Sequence, residues 1–413
     1  MLDYSSETNL IGPRTLVVDI ERLQNSPVGQ LIPVQGEDAR HGRFACFAFL
    51  AHPLPDDVVL DSATWTEVAQ ATAALAQLQQ ACIQLPDPRL LIRPALWREA
   101  LDTSALEGTV GLLQELLEAQ LPSVQFVSPE TQEIRAFERV ALRAFDLVPE
   151  HPISTNMLAQ LQAHLFERAD QTPEDVGQVR QHLVWIGEEN RPIEESRFVP
   201  SPPGDQLRAG MDAWERWVQD PHGHLSPVLR AAMAHYQLET LHPFGDGNGR
   251  LGRLAVLLQL LAAGSLKYPV LTISPWLLRH RQSYQAELFD LSCTGNWSPW
   301  VRFFCRAVCE QCYVLIANAG KLLVWLDEAR SRLNQRRWSG TIHQVLADLI
   351  EWPVTTITDT AIKYRVSQVH ATRLIAHLEE VGVLSELTGR TYARIFGARY
   401  VMDTVESLGG PGA

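Results

Sequence analysis

Lysine is almost missing from this chain: Lys267, Lys321 and Lys363 are the only three in 413 residues. Nearly every cation is therefore an arginine, which grips carboxylates and phosphates through a rigid fork and does not serve as an amine nucleophile, so Schiff-base chemistry is not expected. Cysteine is sparse as well, six in all, too few for a disulfide scaffold in a chain of this length. Cys305, Cys309 and Cys312 share one helical face, but WVRFFCRAVCEQCYVLI reads as a helix against a core, and no paired CxxC or nearby histidine completes a four-ligand zinc site. No basic n-region with an apolar h-region opens the sequence. The longest apolar stretch, near Leu254 to Gly264, is interrupted by Gln259 and far short of the ~20 residues of a membrane span, so a cytoplasmic protein with no membrane partner is expected. Positive charge is also in deficit, 35 Lys+Arg against 48 Asp+Glu for a net −13, which disfavours a polyphosphate partner such as nucleic acid. Neither a repeat nor a GxxxxGK loop is present, which removes solenoids, propellers and P-loop nucleotide sites.

What is present is helical periodicity. The length predicts two or three domains. Residues 1 to 56 carry short β-like runs at Thr15 to Ile20 and Phe44 to Leu50, to which no function is assigned. Ala- and Leu-rich 3.6-residue periodicity begins at Trp65 and continues through PALWREALDTSALEG and TVGLLQELLEAQL. Further helices are predicted at Glu130 to Leu147, Asn156 to Arg168, Asp205 to Gln219, Ser226 to Thr240, Arg250 to Ala263, Pro275 to Leu291 and Ser298 to Arg332. Between them VWIG, a polar centre and RFVP, residues 184 to 200, read as a short β-hairpin.

After Arg336-Arg337-Trp338-Ser339-Gly340 a compact unit of about sixty residues reads as a winged helix-turn-helix: a helix, a short helix capped by Thr358, a Ser367-capped helix and a two-strand tail. Eight acidic and six basic residues lie between Ser339 and Ala413, and the segment Ser367 to Val381 carries one arginine, Arg373, against Glu379 and Glu380. A duplex reader needs a basic face, so protein docking or dimerisation is favoured over DNA binding, and a homodimer is left open.

Chemistry concentrates in His242-Pro243-Phe244-Gly245-Asp246-Gly247-Asn248-Gly249-Arg250-Leu251-Gly252-Arg253, between two amphipathic helices. Gly247 and Gly249 permit a backbone nest of N–H groups at a helix N-terminus, where a phosphate settles. Arg250 and Arg253, three apart, point to one side and offer two guanidinium forks. Asp246 is placed to hold a hard cation such as Mg²⁺, and His242 is a candidate proton acceptor near neutral pH. Taken singly, a DG turn, a lone histidine or two helical arginines are ordinary surface features. Nine such identities in one twelve-residue window arise by chance in about one chain in a billion.

These residues resemble the Fic family signature HPFxxGNGRxxR, with Asp246 before the first glycine. The likeness continues upstream in Gly177-Gln178-Val179-Arg180 and Val184-Trp185-Ile186-Gly187, and downstream in Tyr284, Trp300, Phe303 and Phe304. It covers roughly Arg93 to Val308, with one departure at Gln181-His182, where many relatives carry Thr-Ser. The resemblance implies a mainly α fold, a Fic-type helical bundle with a short β-hairpin flap, followed here by the C-terminal winged helix-turn-helix. The implied division is an N-terminal region at 1–125, a catalytic domain at 126–335 and a winged-helix domain at 336–413. The implied activity is protein adenylylation, transfer of AMP from ATP to a Ser, Thr or Tyr hydroxyl of a target protein docked on residues 184–200, or of the chain itself. His242 would be the general base and Asp246 would hold Mg²⁺. Gly245, Gly247, Asn248 and Gly249 would cradle phosphates, which Arg250 and Arg253 would neutralise. Thr103-Ser104-Ala105-Leu106-Glu107-Gly108 is similar to the family's inhibitory motif (S/T)xxxE(G/N), in which Thr103 and Glu107 would restrain Arg253. In some relatives that glutamate also serves removal of AMP, and the direction here is left open. The competing expectation is a nucleotide-sensing transcription or toxin–antitoxin regulator acting through its winged helix. A third is a transferase for a different donor, against which the intact Gly247, Asn248 and Gly249 count.

Overall fold

A computed structural model describes residues 19–410 apart from 39, 86, 168–174, 188–190 and 221–222. A single turn, α1 (Ile20–Leu23), precedes an antiparallel hairpin of β1 (Gly29–Asp38) and β2 (Gly42–Ala51) in full register from Gly29↔Ala51 to Asp38↔Gly42. Phe44 to Leu50 is thus a strand as expected, whereas Ile20 belongs to a helix and residues 15 to 18 of the other β-like run lie outside the described residues. The long partner strand β1 was not anticipated, because Gly29, Pro33 and Gly36 dilute its alternation.

Helices then follow: α2 (Ser62–Ile83), α3 (Ile92–Leu106), α4 (Leu113–Glu118), α5 (Pro129–Leu147), α6 (Thr155–Phe166), α7 (Asp205–Gln219), α8 (Pro227–Leu241), α9 (Asn248–Ala262), α10 (Ser274–Arg279), α11 (Arg281–Thr294) and α12 (Trp297–Gln335). Several start where local chemistry dictates. The Ser128 and Ser226 hydroxyls accept from the third residue of α5 and α8, each of which has proline at its first position. The helix expected at Pro275 to Leu291 is two. His280 leaves the helical region at φ −111, ψ 29 and stacks on Trp276, so the chain bends between α10 and α11.

By length and composition α12, at 39 residues, could cross a membrane, although polar residues interrupt its apolar run. Its apolar residues are instead shared between two cores. Trp300, Val301, Phe304, Cys305, Val308 and Cys312 enter the first, where α12 packs along α2 and against α8. Leu322, Trp325, Leu326, Ala329 and Leu333 enter the second. The first core draws on segments from Leu23 through Leu408, so residues on both sides of position 125 share it. The second begins within α12, ahead of position 336.

The C-terminal unit contains α13 (Thr341–Asp348), α14 (Ile357–Tyr364) and α15 (Gln368–Glu380), edged by a three-stranded antiparallel sheet of β3 (Val354–Thr355), β5 (Phe396–Gly397) and β4 (Ser385–Glu386), with β5 central. Ser367 caps α15 as expected. The cap of α14 is Thr356 rather than Thr358, its hydroxyl accepting from Asp359 N. The last helix, α16 (Arg399–Ser407), returns to the first core through Met402, Val405 and Leu408 and lies against α3.

The two arms of residues 184–200 meet antiparallel, as expected, but only briefly among the described residues. One antiparallel bridge joins Ile186 and Phe198; a 3₁₀ turn occupies Ile193–Glu195, and the returning arm also reaches β2, where Val199 O accepts from Phe49 N and Ser201 Oγ donates to Phe49 O.

Candidate functional site

The site is built around the turn from α8 to α9. His242 closes α8 in the left-handed region at φ 50, an uncommon place for a non-glycine residue. Gly247, at φ 84, caps α9 where a Cβ would press on Leu165 at 3.1 Å. The turn between them is held from inside by Asn248. Its Oδ1 accepts from Phe244 N at 2.8 Å and its Nδ2 donates to Phe244 O at 2.8 Å. The Asn248 side chain, expected to cradle phosphate, is therefore spent on the loop itself, and only its backbone N–H is left for an anion.

Arg180 holds the same turn from outside. Fully buried, it donates to His242 O at 2.7 Å, His182 O at 2.9 Å, Ser201 O at 2.5 Å and Leu241 O at 3.3 Å, while its own N–H meets Pro243 O. Burial pulls the guanidinium down to about 10, still charged at neutral pH. Gln162, on α6, adds a further tie, donating to Asp246 O at 3.2 Å and accepting from Gly177 N at 2.6 Å. Sequence reading missed Gln162, since a lone glutamine on a helix has no spacing signal.

His242 Nδ1 lies 3.3 Å from Glu239 O, an arrangement that places a proton on Nδ1 and the lone pair on Nε2. Burial, then the nearby Arg180, hold the imidazole down to about 4, so it is a neutral proton acceptor at pH 7. Asp246 is exposed. One oxygen accepts from Gly247 N at 2.5 Å and lies 3.5 Å from Arg250 Nη2. Magnesium is commonly held by one or two carboxylates together with substrate phosphates, and a single outward-facing Asp246 fits that donor set. Among the described residues there is no cluster of three or more His, Cys, Asp or Glu side chains for a protein-only metal site.

The two arginines are buried on the first turns of α9, and each is met by a carboxylate. Arg253 Nη2 bonds Glu107 Oε1 at 2.5 Å and Thr103 O at 3.1 Å, and its Nε bonds Thr103 Oγ1 at 2.8 Å. Glu107 caps the C-terminus of α3 and reaches over the N-terminus of α9, so closely that a Cβ on Gly249 would come within 2.1 Å of its oxygen. Burial pushes the Glu107 carboxyl up, but Arg253 and then Arg250 and His242 more than reverse this and hold it below the usual carboxylate range. Arg250 Nη1 bonds Glu133 Oε1 of α5 at 2.5 Å and lies over the Phe166 ring. Glu133 was not anticipated. Beneath the arginines, Glu239 is raised to about 7 by burial, and His235 Nε2 meets Tyr284 Oη at 2.9 Å.

Two openings reach this turn. A cleft of about 440 Å³ is lined by Thr109, Glu133, Phe166, Asp246 and Arg250 among others. A groove of about 930 Å³ runs between β1 and residues 181–187 and ends at Gly245.

Residues 152–260 match the model of the Fic/DOC family and residues 65–146 that of the Fic/DOC family N-terminal region. The Drosophila melanogaster protein adenylyltransferase Fic is 33% identical over 158 residues, 38% of this chain and 28% of that protein. Its Drosophila ananassae counterpart is 29% identical over 217 residues, 51% of this chain and 40% of that one. The chain thus spans well under half the length of these curated relatives. Among solved structures, a Fic family protein from Desulfovibrio desulfuricans G20 has a TM-score of 0.53 at 18% identity, covering 84% of this chain and 98% of that one. That likeness shows a common fold. The chain carries a Fic/DOC domain on a mainly α architecture.

Replacing Arg180 with Met orphans the buried carbonyls of His242, Ser201 and Leu241. Urea unfolding is expected to show a loss of about 3 kcal/mol, the scale for removing a buried charged donor from several acceptors.

Proposed function

Since the chain carries a Fic/DOC domain, we propose that it is a protein adenylyltransferase that moves AMP from ATP to a Ser, Thr or Tyr hydroxyl, held in check by Glu107. The observation that carries this reading is the neutral His242 beside a helix N-terminus flanked by two buried guanidiniums, a combination that serves proton removal and phosphate charge at one place. The target hydroxyl oxygen attacks the α-phosphorus and its proton passes to His242 Nε2. The new P–O bond forms as the bond to the β-phosphate oxygen breaks, and pyrophosphate leaves. The backbone N–H groups at Gly247 to Gly249 and the forks of Arg250 and Arg253 take up the charge that develops on the phosphates. Bound Mg²⁺ would supply further charge neutralisation from Asp246.

Glu107 supports the inhibitory part of this reading, because a carboxylate on Arg253 at the α9 N-terminus occupies the position a terminal phosphate needs. The groove between β1 and residues 181–187 supports docking of an extended target segment beside Gly245, next to His242. The regulator reading is not favoured. The outward residues of α15 are Gln368, Val369, His370, Thr372, Arg373, Ala376 and Glu380, a single arginine set against a glutamate.

Glu107→Gly is expected to raise incorporation of α-labelled ATP into protein on the order of tenfold or more, the scale of one charged hydrogen bond, and His242→Ala on that background to abolish it. Equal labelling by all three proteins would remove both assignments. The released variant should keep its rate as pH falls from 7 and lose it only through about pH 4, where His242 takes a proton; a midpoint near the ordinary 6.5 contradicts the assignment of the base. Ile186→Pro removes the N–H that meets Phe198 O and should slow target labelling about tenfold while ATP binding is unchanged. Undiminished target labelling argues against docking along this segment.

A further inference from the structure

Glu133 lies outside every motif discussed above, yet it makes the shortest contact to one of the two motif arginines. Its Oε1 bonds Arg250 Nη1 at 2.5 Å, and its Oε2 accepts from Thr109 Oγ1 at 2.9 Å. Thr109 follows Glu107 by two residues, across Gly108 at φ 105, and its N–H returns to Ser104 O in the last turn of α3. One connected path therefore runs from Arg253 through Glu107, the Gly108 corner, Thr109 and Glu133 to Arg250.

We propose that Glu133 is a second carboxylate gate on the nucleotide site, masking Arg250 as Glu107 masks Arg253, and that Thr109 couples the two. The inference rests on the adenylyltransferase reading in taking ATP as the ligand. Three observations carry it. Arg250 is enclosed: its side chain is 3% exposed, lies over Phe166 and stands on the first turn of α9, whereas the Glu133 side chain is 36% exposed and borders solvent. The hydrogen bonding of Arg250 is incomplete, since its buried Nε has no partner among the described residues and a buried donor of this kind awaits an acceptor. Finally, Glu133 lines the cleft that leads to Arg250 and Asp246. A phosphate entering there meets a like charge that already holds the Nη1 donor, so binding requires the carboxylate to leave.

The coupling follows from the Gly108 corner. With Glu107 seated on Arg253, Thr109 is positioned to hold Glu133 on Arg250. When Glu107 withdraws, Thr109 moves with it and Glu133 loses one of its two anchors. The gate is thus a positioning device for the nucleotide, set by α3 and α5 together, and it acts on the polyphosphate rather than on the nucleoside.

Calorimetric titration of the full chain with ATP and with AMP tests this. Glu133→Gln keeps shape and removes charge, and should bind ATP about tenfold more tightly, equivalent to about 1.4 kcal/mol, with AMP changed less than about twofold. Weaker ATP binding, or an equal gain for AMP, overturns the gate. In the Glu107→Gly background the gain from Glu133→Gln should shrink, and Thr109→Val should restore equal gains in both backgrounds. Equal gains with Thr109 intact overturn the coupling. Thermal melting checks that each variant folds, and should Glu133→Gln not fold, Thr109→Val alone is expected to tighten ATP in the same direction by a smaller factor, no change overturning the proposal. Labelling separates the two readings. If Glu107→Gly fails to transfer AMP while ATP binding still responds to Glu133→Gln, the transferase reading fails and the gate stands. Transfer with no binding response sinks the gate alone.

Discussion

Two guanidiniums buried at the N-terminus of one helix are an electrostatic debt that the rest of the molecule is arranged around. The helix end already carries partial positive charge, and Arg250 and Arg253 add two full charges away from solvent. Buried charge of one sign is tolerated only with a counter-charge close by. In this structure Glu107 and Glu133 supply it, from the end of α3 and the second turn of α5. The same positions are those in which phosphate oxygens would do the same work. In the proposed function, inhibition and substrate recognition draw on this one physical requirement, one anion exchanging for another.

That requirement explains why the turn from α8 to α9 is held so firmly. The turn is fixed from both sides. Asn248 staples the loop internally, while Arg180 and Gln162 tie its carbonyls to neighbouring segments. His242 pays for its position with a left-handed backbone and is kept neutral by burial. Around this rigid centre, the helix that bears Glu107 has contacts at several points. Arg93, near the start of α3, bonds Glu351 at 3.1 Å and lies over Trp352 at the end of α13, and α16 packs along the same helix. The C-terminal unit and the helix that carries Glu107 are therefore in contact through one element, and α12 is shared by both cores.

Much of this was legible before the structure. The helices from Trp65 to Arg332 show clear periodicity, and the capping serine at Ser367 marks where α15 begins. Pairing between distant strands was less so. β1 has no clear alternation because its glycines and proline blur it, and nothing in the sequence shows that Val199, at the end of the 184–200 segment, bonds to β2. The break at His280 depends on its stacking against Trp276, a contact no propensity encodes.

The sequence by itself marked the turn from α8 to α9 as the place where a histidine, a carboxylate, two glycines and two arginines converge, and the family resemblance paired Glu107 with Arg253. Those relations are carried by spacings of three and four residues across one helix start, where local geometry and sequence distance agree, or by a motif. Only the tertiary structure decided what stands opposite Arg250 and what Asn248 does with its side chain. Glu133 is 117 residues from Arg250 in the chain, and at that separation which carboxylate meets which guanidinium is set by helix packing, to which no local pattern in the residues corresponds.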